Sequence, residues 1–369
     1  MSAFARDQMQ LQDSGAWGRG ISTAACFLAV LSTPLLRRYC SGTEAKGHLV
    51  VVLLDCIPVE IEVLERMKGI YIWSSAVPGT AQATEPGELK GMSPLWASDL
   101  DSLEQWLEVY LTAACPHDRW WRAGSVLADT LIVVAGPCSS SLDLSWALVR
   151  RGLLTEWDSL LVVSQWSGRG RQGRVWHSPA GNVYAALRLP YPALPCLDSL
   201  PLITGCILVE AFAELGLEVK IKWPNDLMLN RKKVGGILIE QQGGVIMAGV
   251  GINLVSAPET SMLRDEQAMP TCCLAEFGYQ ATPLHLWRQL ADGARIRYAE
   301  AMACRAPSLL LSRVEKHLAF LNEEVIVDPP GEQSYRATVL GVAACGGLKV
   351  HAGGKDRVIR YADMYPVAN

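Results

Sequence analysis

Apolar positions along the chain fall into two kinds of run. Thr130–Val134, Leu160–Ser164, Val183–Leu189, Val219–Trp223 and Val245–Leu254 are short, nearly continuous and bounded by turn formers. That pattern predicts strands buried on both faces. Asp198–Leu215 and Pro283–Ala301 are longer and predict helices. The second sets Leu284, Leu286, Trp287, Leu290 and Ile296 on an apolar side and leaves His285, Arg288 and Arg295 to water. The serines at 139–141 followed by an apolar stretch through Arg151 predict a serine-capped helix, with Asp143 suited to its first turn. Leu309–Phe320 predicts a last helix. After it, Val325–Val327, Tyr335–Val342, Gly347–His351 and Arg357–Tyr361 predict short strands, separated by turns at Pro329-Pro330-Gly331 and Gly353-Gly354.

Towards the N-terminus the pattern weakens. Residues 1–47 are expected to form a disordered extension. Its apolar run, Ile21–Leu36, is interrupted by Ser, Thr and Pro and is short for a membrane span. It also lacks the basic start and small-residue cleavage site of a signal peptide. His48–Asp55 predicts a buried strand and Ile61–Ile72 a short helix or strand. Val77–Pro94, dense in Gly, Pro, Thr and Glu, predicts a loop. Leu103, Trp106, Leu107, Tyr110 and Leu111 give Ser102–Ala114 a helical spacing. The chain thus divides into an extension (1–47), an accessory region of unassigned role (48–126), a main α+β domain (127–315) and a small β domain (316–369).

Composition narrows the class. A chain of 369 residues, 50% hydrophobic, suits two or three domains with ample cores. The net charge of −4 and pI near 5.9 give no global attraction to nucleic acid. Residues 1–120 carry 14 Asp+Glu against 9 Lys+Arg, a balance of −5, and no basic recognition helix. Eleven cysteines without CxxC or zinc spacing read as free thiols of a reducing cytoplasm, and the adjacent Cys272-Cys273 as structural.

Candidate chemistry lies in three stretches. Gln165-Trp166-Ser167-Gly168-Arg169-Gly170-Arg171-Gln172-Gly173-Arg174-Val175-Trp176 alternates glycine with arginine directly after a predicted strand. Glycine permits positive φ and close backbone approach, exposed amides form an anion nest, and arginine adds a planar cationic fork. The bland alternative is a solvated basic loop. The second stretch is Lys222-Trp223-Pro224-Asn225-Asp226-Leu227 with Lys233-Val234-Gly235-Gly236-Ile237-Leu238-Ile239-Glu240, and the third is Gly249-Val250-Gly251-Ile252-Asn253-Leu254. Taken singly, Asn225, Asp226 and Asn253 are equally good turn formers.

In this order and at these intervals the three stretches resemble the biotin protein ligases, over about residues 130–369. The resemblance implies a class II synthetase-like catalytic domain at 127–315 and an SH3-like barrel at 316–369. It implies ATP-dependent activation of biotin to biotinyl-5′-AMP, then transfer to a lysine of a biotin carrier domain, with Mg²⁺. By the same resemblance, Ser140, Ser141 and Gln165 contact biotin, and Leu142 stands where asparagine is usual. Either a contact is lost there or the register is shifted by one residue, with Ser139 compensating. Trp166 likewise replaces the common threonine. Arg169, Gly170 and Arg171 match the segment that folds over the intermediate, and Trp176 with Ser178-Pro179 is expected beneath the adenine. Lys233 matches the lysine bridging biotin's carboxylate and the α-phosphate, Gly235-Gly236 make room for biotin, and Asn225 and Asn253 lie near the nucleotide. Arg171, Lys233 and Asp226 are the expected catalytic set. Asp226 either orients Lys222 or a metal ion, or accepts the acceptor lysine's proton. Arg360 is a weaker candidate in the small domain. Neither DNA nor a membrane is an expected partner, and a homodimer stays open. The alternatives are a lipoate-type ligase of the same fold, a biotinyl-adenylate-binding regulator and a degenerate binding module.

Overall fold

A computed structural model describes residues 67–367, apart from 76–80, 83, 111–117, 125–127, 193–196, 260–268 and 304–306. The expected extension at 1–47, with its apolar run, and the expected strand at His48–Asp55 lie outside the described residues.

The backbone of the fold is a ten-stranded mixed sheet in the order β2-β3-β1-β4-β5-β6-β10-β9-β8-β7. Its strands are β1 (Gly69–Ser74), β2 (Trp106–Val109), β3 (Arg119–Ala123), β4 (Leu131–Ala135), β5 (Ser159–Val162), β6 (Val183–Leu189), β7 (Lys220–Lys222), β8 (Asp226–Leu229), β9 (Lys232–Gln242) and β10 (Val245–Ile252). β4 runs parallel to β1 and β5, and the other pairs are antiparallel. Successive side chains of a strand point to opposite faces, and here both faces are covered. Ile70, Ile72, Ile132 and Val134 join one core with residues of α1 (Pro86–Met92), α2 (Pro94–Asp101), α4 (Leu200–Glu214) and α5 (Pro283–Ala303). Tyr71, Trp73, Leu131 and Val133 join another with Leu144 and Leu148 of α3 (Ser141–Arg150). Two-sided burial is why these strands read as unbroken apolar runs.

After α6 (Pro307–Lys316) comes a five-stranded antiparallel sheet, ordered β14-β13-β12-β11-β15. It comprises β11 (Glu324–Asp328), β12 (Tyr335–Val342), β13 (Leu348–Ala352), β14 (Lys355–Ile359) and β15 (Asp363–Pro366). Its apolar face, including Val325, Val339 and Val350, belongs to the same buried cluster as the larger sheet's core. Two further links fasten it: Ile221 N–H donates to His317 O at 2.8 Å, and buried Trp223 Nε1–H donates to Gly346 O at 2.9 Å.

Several expectations give way. A boundary at 126/127 does not separate two sheets, because β1–β3 from the accessory region continue the sheet that β4 enters. The loop expected over Val77–Pro94 contains α1, and Pro94 opens α2. Each proline stands at the first helical turn, where its missing N–H costs nothing. Ser93 caps α2 by accepting from Trp96 N–H at 3.3 Å. Over the described part of the helix expected at Ser102–Ala114, residues 102–110, the chain forms β2 instead; residues 111–114 lie outside the described residues. The chain turns at Glu104, whose φ is +59°, and then pairs with β3 from Trp106 opposite Ala123 to Val109 opposite Trp120. Ile296 is exposed rather than on the packed side of α5, and β15 lies beyond the last predicted strand.

Asp99, buried at the end of α2, accepts from Leu284 N–H at 2.8 Å and His285 N–H at 3.2 Å, capping α5. Burial is the dominant influence on its carboxyl and raises its pKa, against the hydrogen bonds from Thr282, Leu284 and His285 that lower it. A raised folded-state pKa means the native state keeps the proton after the unfolded chain has lost it, so stability falls as pH climbs above 3.8 through the raised value. Denaturant titrations from pH 3 to 7 are therefore expected to show wild type losing stability relative to Asp99→Asn over that window. At neutral pH, Asp99→Ala should cost about 1–2 kcal/mol, the scale of a lost helix cap.

Candidate active site

β5 delivers the chain to the glycine–arginine loop, which closes as a small hairpin. Gly170 N–H donates to Arg174 O at 2.7 Å and Trp176 N–H to Gly168 O at 2.9 Å. At the tip Gln172 and Gly173 have φ of +59° and +69°. A Cβ at Gly168 would lie 2.5 Å from Trp176 O, so only glycine fits there. Gln165 pins the base of the loop to α3. Its Oε1 accepts from Ser141 N–H at 2.7 Å, and its Nε2 donates to Ser178 Oγ at 2.8 Å. Ser140 caps α3, accepting from Leu142 N–H at 3.3 Å. Arg169 forks onto Asp143 at 2.9 and 2.7 Å and reaches Glu240 at 3.3 Å.

The opposite wall is built on β7–β10. Asp226 sits between two ammonium groups, 3.0 Å from Lys222 Nζ and 2.6 Å from Lys233 Nζ. Burial alone would raise its carboxyl, but Lys233 and Lys222 outweigh that and hold it well below the usual carboxylate range. Asn225 pins the preceding turn, its Nδ2 donating to Ile237 O at 2.7 Å. Lys233 is fixed through its backbone, its N–H donating to Pro270 O at 2.7 Å and its carbonyl accepting from Cys272 N–H at 2.9 Å. Asn253, buried, donates from Nδ2 to Cys272 O at 3.1 Å, steadying the same segment. Between the walls the Trp176 ring lies on Gly236 and Gly251, paired across β9 and β10. Lys233 Nζ is 5.2 Å from that ring's centre.

These walls enclose a cavity of about 770 Å³. The small sheet completes it with Ala362, Asp363 and Tyr365. Asp363 binds Arg174 of the loop, and the Arg171 guanidinium lies 5.8 Å from the Tyr361 ring centre. Cations from the loop and from β7–β9 thus face one space, with Asp226 and Asp363 as the carboxylates of its described lining.

The model of the biotin/lipoate A/B protein ligase family matches residues 151–255. A biotin–[acetyl-CoA-carboxylase] ligase of Mycobacterium tuberculosis is 31% identical over 246 residues, spanning 63% of this chain and 88% of that protein. The chain belongs to the biotin protein ligase family. One of Paracoccus denitrificans is 35% identical over 136 residues, 34% of this chain, and the match spans only 55% of that relative's length. Among solved structures, a biotin protein ligase from Aquifex aeolicus in complex with biotin and ATP has the same fold. Its TM-score is 0.54 at 23% identity, covering 63% of this chain and 97% of that one.

Of the residues expected from the ligase resemblance, Ser140, Ser141, Leu142, Gln165, Arg169, Gly170, Arg171, Trp176, Asn225, Asp226, Lys233 and Asn253 line the cavity. Gly235 does not. It faces Gly251 O and Leu227, and the room its pair was expected to leave is at Gly236, where Trp176 lies. Leu142 turns into an apolar cluster with Trp146, Ala186 and Met247 and packs on Gly249. Arg169 is spoken for by two carboxylates, so it anchors the loop rather than offering a free charge. Asp226 is clamped by two lysines, Lys222 and Lys233. Trp166 is half exposed and outside the lining, and Arg360 is likewise outside it. Asp143 reads in the sequence only as a first-turn acid of α3, and no local signal marks Asp363 as the partner of Arg174. Glu240 lay inside a quoted motif and carried no role there. Besides holding Arg169 it accepts from Trp146 Nε1–H at 2.7 Å.

A Cβ at Gly251 would meet the Trp176 indole at 2.7 Å. Gly251→Ala is expected to destabilise the protein by about 1–3 kcal/mol through overpacking. Adding Trp176→Ala should relieve part of that loss in a double-mutant cycle followed by denaturant unfolding, and strictly additive losses would contradict the contact.

Proposed function

We propose that the protein is an ATP-dependent biotin protein ligase. In this reading it converts biotin and ATP to biotinyl-5′-AMP and pyrophosphate, then passes the biotinyl group to a lysine of a biotin carrier domain, releasing AMP. The observation that carries it is the convergence of cations from two separate segments, the arginine loop and the Lys222–Asp226–Lys233 cluster, on one glycine-floored cavity. Support comes also from the family and from the biotin and ATP bound in the Aquifex relative.

The chemistry asked of such a site is electrostatic. Biotin's carboxylate oxygen attacks the α-phosphorus of ATP, and both partners are anions. Arg171 and Lys233 would offset their repulsion and the charge that builds at phosphorus. Lys233 arrives already aimed, because Asp226 and its backbone bonds fix it, and little reorganisation remains at the moment of reaction. The loop hairpin would cover the adenylate and keep water from the mixed anhydride. The acceptor amine then attacks the acyl carbon and AMP leaves. Its proton passes to solvent, since Asp226 is already held between Lys222 and Lys233.

A magnesium ion would be carried on the triphosphate, offsetting phosphate charge. Asp226 and Asp363 are both engaged by cations, so phosphate oxygens and water would be its ligands. The five-stranded sheet takes the place of the family's SH3-like barrel in this reading.

The test is purified protein with ATP, Mg²⁺, a biotin carrier domain, and either biotin or lipoate. Biotin alone is expected to label the carrier. Arg171→Gly or Lys233→Ala should lose at least roughly 100-fold, the scale of removing a charged transition-state contact. Full activity in both variants would discard this site, labelling with lipoate would point to the sister activity, and no labelling to a regulator or binding module. Asp226→Asn separates its two roles. Loss of both adenylate formation and transfer fits the orienting role, whereas loss of transfer alone would restore the proton acceptor.

A further inference from the structure

The small sheet touches the arginine loop at two points, both from the segment between and including the ends of β14 and β15. Asp363, first residue of β15, takes the Arg174 guanidinium in a forked pair. Two residues earlier, the Tyr361 ring lies 5.8 Å beneath the Arg171 guanidinium. The loop's own hydrogen bonds, Gly170 to Arg174 and Trp176 to Gly168, close the hairpin but do not tie its tip to the rest of the molecule. Its base is secured by Gln165 and Arg169. The tip arginines, 171 and 174, are therefore positioned by a different part of the chain from the base, nearly two hundred residues away. Asp363 itself is held firmly, its backbone paired opposite Asp328 in the antiparallel β15–β11 ladder. The Trp223–Gly346 hydrogen bond fixes that sheet to the cavity wall.

We propose that Asp363 and Tyr361 form a latch by which the small sheet holds the tip of the arginine loop over the cavity, Asp363 acting as a positioning residue through Arg174. The latch is defined by geometry alone. Its consequence for reaction rests on the ligase reading: with the latch broken, the loop lifts more often and the activated acid escapes to water before transfer.

Hydrogen–deuterium exchange of the 168–176 amides, read by mass spectrometry on the full chain, tests the latch without reference to activity. Asp363→Asn and Arg174→Ala are each expected to speed exchange there by up to about fivefold, the range of a partly exposed ion pair, with thermal unfolding little changed. Combining them should add no further acceleration, and Asp363→Glu should recover part of the protection. Raising salt from 0.05 to 0.5 M should loosen the same amides in wild type, a readout that needs no variant. Unchanged exchange in both single variants, or additive effects in the double variant, would overturn the proposal. In the second arm, AMP released per carrier lysine modified should rise about twofold or more in Asp363→Asn, on the same energetic scale. If wild type modifies no carrier, the ligase reading fails while exchange still decides the latch. If exchange rises and the AMP ratio stays at the wild-type value, the latch's role in retaining the intermediate is overturned.

Discussion

Positive charge gathered into a confined space repels itself, and the site is shaped by that constraint. Two unit charges about 4 Å apart interact by about 4 kcal/mol at the effective dielectric near a protein surface. Each cluster of cations here is built around a carboxylate. Asp226 lies between Lys222 and Lys233 on the sheet wall. Asp143 and Glu240 take Arg169 at the loop's base, and Asp363 takes Arg174 near its tip. Arg171 alone of the loop's three arginines meets an aromatic ring among the described contacts. An anion entering the cavity finds that guanidinium uncommitted to a carboxylate, and Lys233 already oriented. The carboxylates thus let the cations be held close to one another.

What was legible in the chain was what is local. The glycine–arginine loop needs positive φ at Gly173 and a missing Cβ at Gly168, as its glycines suggest, whereas the positive φ at Gln172 has no such signal. The turn at Asn225-Asp226 is also legible, since its turn formers directly follow the apolar run Val219–Trp223. The partners Asp143 and Asp363 were opaque for the opposite reason. Asp143 looked like an ordinary first-turn acid of a helix, and Asp363 sits 189 residues from Arg174. Proximity of that kind is a property of the folded sheet order and leaves no trace in spacing. In the N-terminal region proline misled twice. Pro86 and Pro94 lie in the stretch whose Gly and Pro predict a loop, yet both start helices. Trp106 and Leu107 fitted a helical spacing that pairing with β3 overrode.

The cavity forms at a seam. On one side lies the ten-stranded sheet, on the other the five-stranded one, and a single apolar core runs through both. Trp223 is central to this: its ring is fully buried, its indole N–H reaches Gly346 in the small sheet, and its neighbour Lys222 faces the cavity. Chemistry-bearing residues at such a seam gain their precision from elements packed on either side. Movement of the small sheet would be felt both at the floor, through Trp223, and at the loop, through Asp363 and Tyr361.

The floor itself is made by leaving side chains out. Gly236 and Gly251 stand opposite each other on β9 and β10, and the Trp176 ring fills the space above them. Gly249, two residues along, is covered in the same way by Leu142, whose Cδ1 lies 2.8 Å from where a Cβ would stand. The departure at 142 is therefore not an isolated change at the mouth of a polar pocket. Leucine there has a packing partner in the glycine beneath it and neighbours in Trp146 and Met247. An asparagine in the same place would set its amide against that apolar cluster, with desolvation costs unless partners were found. Gln165 meanwhile bonds the backbone of Ser141 at the start of the same helix. Leu142 thus carries the packing of the helix over the sheet, while the polar groups at its start are engaged by Ser140 and Gln165.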